Sequence, residues 1–113
     1  MTNLVKSSTI LMKTVGEIIR DHREQCGLLL REVALLLEID TSLLSKIETG
    51  DKSPTKEQVC QLAQIFETDE KEMLVAYFSD RLVYEVRDED FASEALKVAE
   101  QKIEYLKRAN GIF

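Results

Sequence analysis

Apolar residues recur three and four positions apart in successive runs, and almost every run is bracketed by residues that start or stop a helix. Leu11, Val15, Ile18, Ile19, His22 and Cys26 form the first stripe, which Gly27 ends by accepting the left-handed conformation that closes helices. A short helix over 30–37 turns Val33, Ala34 and Leu37 inward. Asp40 or Thr41 offers a capping oxygen to a third helix carrying Leu44 and Ile47, closed by Gly50. Thr55-x-x-Gln58 is a capping box for a fourth helix with Val59, Leu62, Ala63 and Phe66 on one face, and Asp69-x-x-Glu72 repeats the device for a fifth through Met73, Leu74, Tyr77 and Phe78. One Pro and four Gly in 113 residues are too few turn residues for a β-sandwich or barrel. The expected class is all-α.

Residues 1–9 are polar and aperiodic and read as a loose N-terminal arm; 10–78 reads as a five-helix domain. Residues 79–113 then form a connector and a last helix. Within 79–87, Leu82, Tyr84 and Val86 alternate like a strand, yet Leu82 and Val86 are also four apart; without a partner strand, helix or extended connector is preferred. Ala92, Leu96, Ala99, Ile103 and Leu106 follow a 4-3-4-3 rhythm, the seam of a coiled coil or helical hairpin.

The formal net charge is −6, which taken alone argues against non-specific attraction to nucleic acid. The charge is unevenly spread, however: residues 1–60 carry eight basic and nine acidic groups, and residues 61–113 seven and twelve. Cys26 and Cys60 fall at apolar helical positions with no CxxC and no neighbouring His, so buried free thiols in a reducing, cytoplasmic setting are expected. No apolar run approaches the roughly 18 residues of a membrane span, and Met1–Lys6 lacks the pattern of a signal peptide.

The stretch Leu28–Ile47 holds a short helix, a tight turn and a second short helix, a helix-turn-helix arrangement. Ala34 is small enough for a close crossing, and Val33, Leu37, Ile39, Leu44 and Ile47 fill the wedge. The second helix projects Thr41, Ser42, Leu43, Ser45 and Lys46, groups that fit a major groove without clashing.

The string Arg31-Glu32-Val33-Ala34 followed by Ile39-Asp40-Thr41-Ser42-Leu43-Leu44-Ser45-Lys46-Ile47-Glu48-Thr49-Gly50, with Pro54-Thr55 and Leu62-Ala63 beyond it, resembles the Xre/Cro/cI-type helix-turn-helix family over about residues 14–76. The resemblance implies a lambda-repressor-like fold and a sequence-specific transcriptional regulator, a repressor or operon controller, bound to double-stranded DNA. It implies base contacts from Thr41, Ser42, Leu43 and Lys46, and backbone contacts from Ser45, Thr49, Lys52 and Ser53. Where family members place a Ser or Thr cap and a phosphate-gripping Gln, this chain has Leu29 and Leu30, and Arg31 is the candidate replacement.

Regulators of this kind bind two half-sites, so a homodimer through Ala92, Leu96, Ala99, Ile103 and Leu106 is expected. Glu48 reads as structural, paired with Arg20 or Arg31. His22 reads as a packed core histidine, and Tyr77, Phe78, Tyr84 and Phe91 as residues joining the second half to the core. With no Gly-rich phosphate loop, HExxH or GxSxG, the expectation is no catalytic residue, no metal and no cofactor. A second reading keeps the fold but makes the chain a protein-interaction module, an antitoxin or accessory subunit working through its acidic C-terminal half.

Overall fold

The computed structural model describes residues 13–110. The expected arm at 1–9 and the stripe residue Leu11 lie outside the described residues. The fold is all-helical there, with α1 Val15–Gln25, α2 Leu30–Leu37, α3 Thr41–Thr49, α4 Lys56–Ile65, α5 Glu70–Val86 and α6 Ala92–Asn110. Residues up to Asp80 make one compact unit and those from Arg81 a second.

The helix ends follow local chemistry. Thr14 accepts from the Glu17 amide while Glu17 reaches back to the Thr14 amide, and Thr55 and Gln58 close the same box before α4. Gly50, at φ 89°, closes α3 in the left-handed region. Glu38 adopts the same region at φ 57°, so α2 ends there without a glycine. Two expected caps differ. Asp40 occupies the N-cap of α3, but its side chain makes no cap hydrogen bond. Asp69 accepts from the amide of Lys71, two residues on, rather than closing a box with Glu72.

The core lies in the first unit. Val15, Ile18 and Ile19 from α1 meet Val33, Ala34 and Leu37 from α2, Leu44 and Ile47 from α3, Val59, Leu62 and Ala63 from α4, Phe66 beyond it, and Met73, Ala76 and Tyr77 from α5. Ile39 and Leu43 pack partly against this cluster. His22 is half-buried and stacks on Phe66, with ring centroids 5.8 Å apart.

Several expectations fail on geometry. Cys26 is exposed and Cys60 only half-buried. Cys26 is the C-cap of α1, one position beyond the last helical residue, so the apolar stripe no longer carries it inward. The Cys60 thiol, hydrogen-bonded to Glu70, is held above its ordinary pKa. Tyr77 is buried, but Phe78, Tyr84 and Phe91 are exposed and do not join the core. Residues 79–86 continue α5 as a helix, on which Tyr84 faces the Arg87 guanidinium at 4.4 Å instead of a core partner.

Candidate nucleic-acid interface

The third helix is held on its inner side and open on its outer side. Leu44, Ile47 and Glu48 are its buried residues. Arg23 of α1 clasps Glu48 with two hydrogen bonds, Nε to Oε2 at 2.7 Å and Nη2 to Oε1 at 3.1 Å, and its Nη1 donates to the Leu28 carbonyl at 3.0 Å. Hydrogen bonding to Glu48 raises the Arg23 pKa further, so the guanidinium stays charged despite burial. One side chain thus ties α1, the α1–α2 turn and α3 together.

This corrects the expected partners of Glu48. Arg20 is exposed and lies 3.5 Å from Glu24, one turn further along α1, and Arg31 is exposed in the first turn of α2. Gly16 explains how α1 comes so near. A Cβ added there would stand 2.3 Å from the Ile47 carbonyl oxygen and 2.9 Å from that of Glu48, so only glycine permits the approach. Gly16 and Arg23 are seven residues apart and share one helical face; Arg20 lies on it too, so this signal narrows the partners of Glu48 without choosing between them.

Two further contacts position α1. Asp80 of α5 accepts from the Val15 amide at 2.8 Å, at the start of α1. Burial outweighs that hydrogen bond and leaves the Asp80 carboxyl above its ordinary range. Lys13 is ion-paired with Asp21.

On the outer side, Thr41, Ser42, Lys46 and Thr49 are exposed, while Leu43 and Ser45 are half-buried. The Thr49 hydroxyl lies within hydrogen-bonding reach of the Lys46 carbonyl at 3.2 Å and the Asp51 carboxylate at 3.1 Å. Lys52 and Ser53 are exposed after the helix; the Lys52 amide donates to the Lys46 carbonyl, and the Ser53 hydroxyl to the Pro54 carbonyl at 3.3 Å. Leu29 is the N-cap of α2. Its side chain has no oxygen to offer the first-turn amides, although Glu32 accepts from its own amide at 2.7 Å. The side of Leu29 is 48% exposed, whereas Leu30 packs partly on the core.

Among the described residues no group of three or more His, Cys, Asp and Glu could hold a metal ion. No helix there is long and apolar enough to cross a membrane.

A five-helix unit with a helix-turn-helix at 30–49 and an open outer face on α3 defines a class of DNA-binding module. A family model described as "Helix-turn-helix domain" matches residues 14–75, and the chain belongs to that family, in agreement with the Xre-type resemblance. The family makes the chain, in general terms, a DNA-binding regulator. Searches of curated proteins and of solved structures returned no match.

Proposed function

We propose that the protein is a sequence-specific transcriptional regulator, a repressor or operon controller, that binds an inverted-repeat operator as a homodimer. The observation that carries this reading is the division of α3: Leu44, Ile47 and Glu48 are locked inward while Thr41, Ser42 and Lys46 remain exposed. In this reading α3 enters the major groove. Lys46 donates to guanine O6 and N7 or to phosphate, Thr41 and Ser42 bond to base edges, and Leu43 reaches a thymine methyl. Arg31, Ser45, Thr49, Lys52 and Ser53 contact the backbone. Residues 10–78 are the DNA-binding domain, and 79–113 the connector and dimerisation helix, with Ala92, Leu96, Ala99, Ile103 and Leu106 at the seam. The reading includes no catalysis or cofactor and a cytoplasmic location.

Selection of bound sites from random duplex DNA by the full chain tests it. The expected result is an enriched palindrome with half-site centres about 34 Å apart, one turn of duplex. Absence of enrichment at low and moderate salt, with the protein folded, would overturn it. That outcome would favour the interaction-module reading, to which the exposed apolar side chains of α5 and α6 lend support.

A further inference from the structure

The described residues of the second unit form no interior of their own. No described side chain from Arg81 to Asn110 is buried, and Leu82, Val83, Tyr84, Phe91, Leu96, Val98, Ile103, Tyr105 and Leu106 are all exposed. Yet α6 is 19 residues long, and Leu96, Ala99, Ile103 and Leu106 lie along one side of it. A helix with no tertiary burial is marginal in water, and a seam of this spacing fits a second helix.

Resting on the dimer reading above, we propose that α6 pairs with the α6 of a second copy in antiparallel orientation, with Leu96 facing Leu106 of the second copy and Ala99 facing Ile103. The order of side-chain sizes carries the choice. A parallel pair sets every residue against itself, so Ala99–Ala99 lies between Leu96–Leu96 and Ile103–Ile103. The separation that the large layers need then leaves a gap at the small one. The antiparallel register gives every layer from 96 to 106 at least one large side chain. Charge does not discriminate. A parallel pair brings Lys102 beside Lys107 of the second copy twice, and the antiparallel pair brings Glu100 and Lys102 each against its own counterpart. The helix dipoles favour the antiparallel pair.

The geometry also suits a two-half-site regulator. With residue 92 opposite residue 110, the two chains enter the pair about 27 Å apart along its axis, at 1.5 Å per residue. A parallel pair would bring them in side by side, at roughly 8–10 Å. Half-site centres are about 34 Å apart. A seam about 21 Å long from Ala92 to Leu106, with Leu82 and Val83 of the same unit adding exposed apolar surface, goes toward the roughly 800 Å² per partner of a stable interface.

Single-cysteine cross-linking of the full chain tests the pairing, in a background carrying Cys26→Ser and Cys60→Ser. In the antiparallel register two copies of residue 96 are about 15 Å apart along the axis, as are two copies of residue 106, beyond the reach of a short bis-maleimide. Leu96→Cys alone and Leu106→Cys alone are therefore expected to stay uncoupled, while the double variant forms a covalent dimer. Coupling of each single variant would establish a parallel pair and overturn the proposal. A chain that sediments as a dimer while no variant couples would overturn this seam and leave the dimer standing. A chain that sediments as a monomer would remove the dimer reading itself. Both leucines are partly exposed, so the substitutions leave the core of the first unit intact, which circular dichroism checks.

Discussion

Arg23 and Glu48, 25 residues apart, form a two-bond ion pair in which the carboxylate side chain is 6% exposed and the guanidinium 14%. The pair joins α1 to the inner side of α3, so the placement of Thr41, Ser42 and Lys46 depends on a contact none of them makes. A buried ion pair contributes little net stability compared with apolar replacements, but breaking it leaves a lone buried charge. Arg23→Met is therefore expected to destabilise the chain by about 3–5 kcal/mol, and Arg23→Met with Glu48→Leu to recover most of that loss. Urea unfolding midpoints measure both; a single variant as stable as the parent would contradict the assignment.

Gly16→Ala sets helix propensity against packing. In an exposed helix interior the change would gain up to about 1 kcal/mol. Here the new methyl meets two backbone carbonyls of α3, which cannot rotate away as a side chain can. Overpacking typically costs about 1–3 kcal/mol, so the melting temperature should fall. A rise would mean that α1 and α3 separate more readily than this contact implies.

Asp80 carries a pH dependence of definite sign. Its carboxyl is raised in the folded chain, so folding favours the protonated form. This contribution is fully present below the unfolded value, near 3.9, and is lost as pH rises through the folded value. Asp80→Asn keeps an oxygen for the Val15 amide and removes the charge. It is expected to hold or raise stability at neutral pH and to remove this part of the acid-range dependence. Thermal melts of the two chains from pH 3.5 upward, about where the unfolded carboxyl titrates, test this. A large loss of stability at pH 7 would reverse the sign.

Lys46 and Lys52 separate specificity from attraction in the proposed complex. Lys52→Ala should weaken binding alike on all sequences and reduce the slope of log affinity against log salt by about 0.9, one phosphate contact. Lys46→Ala, if its ammonium meets a guanine edge, should cost about 1–3 kcal/mol on the selected site and far less on random DNA. Equal losses on both would assign Lys46 to the backbone.

What was legible in the sequence was local. Gly50 and the Thr55–Gln58 box are decided within a turn of chain, and residues 30–49 fold as their spacing demands. The partner of Glu48 was misread because Arg20 and Arg23 both share a stripe of α1 with Gly16; only the folded chain shows Arg20 against Glu24 and Arg23 against Glu48. Phe78, Tyr84 and Phe91 were misread for a different reason. Aromatic content marks a need for burial, but a core already filled by Phe66, Met73 and Tyr77 decides which residues obtain it. The Asp80–Val15 contact spans 65 positions and carries no local signature.

Among the described residues no side chain beyond Tyr77 is buried, which divides the chain by how long its amides resist exchange with solvent deuterium. Amides of α1 to α4 open only with the shared core, so their protection should approach the free energy of global unfolding. Those of α6 carry no buried side chain among the described residues and should exchange early in dilute protein. Any slowing there with rising protein concentration would measure self-association directly, at single-residue resolution and without DNA.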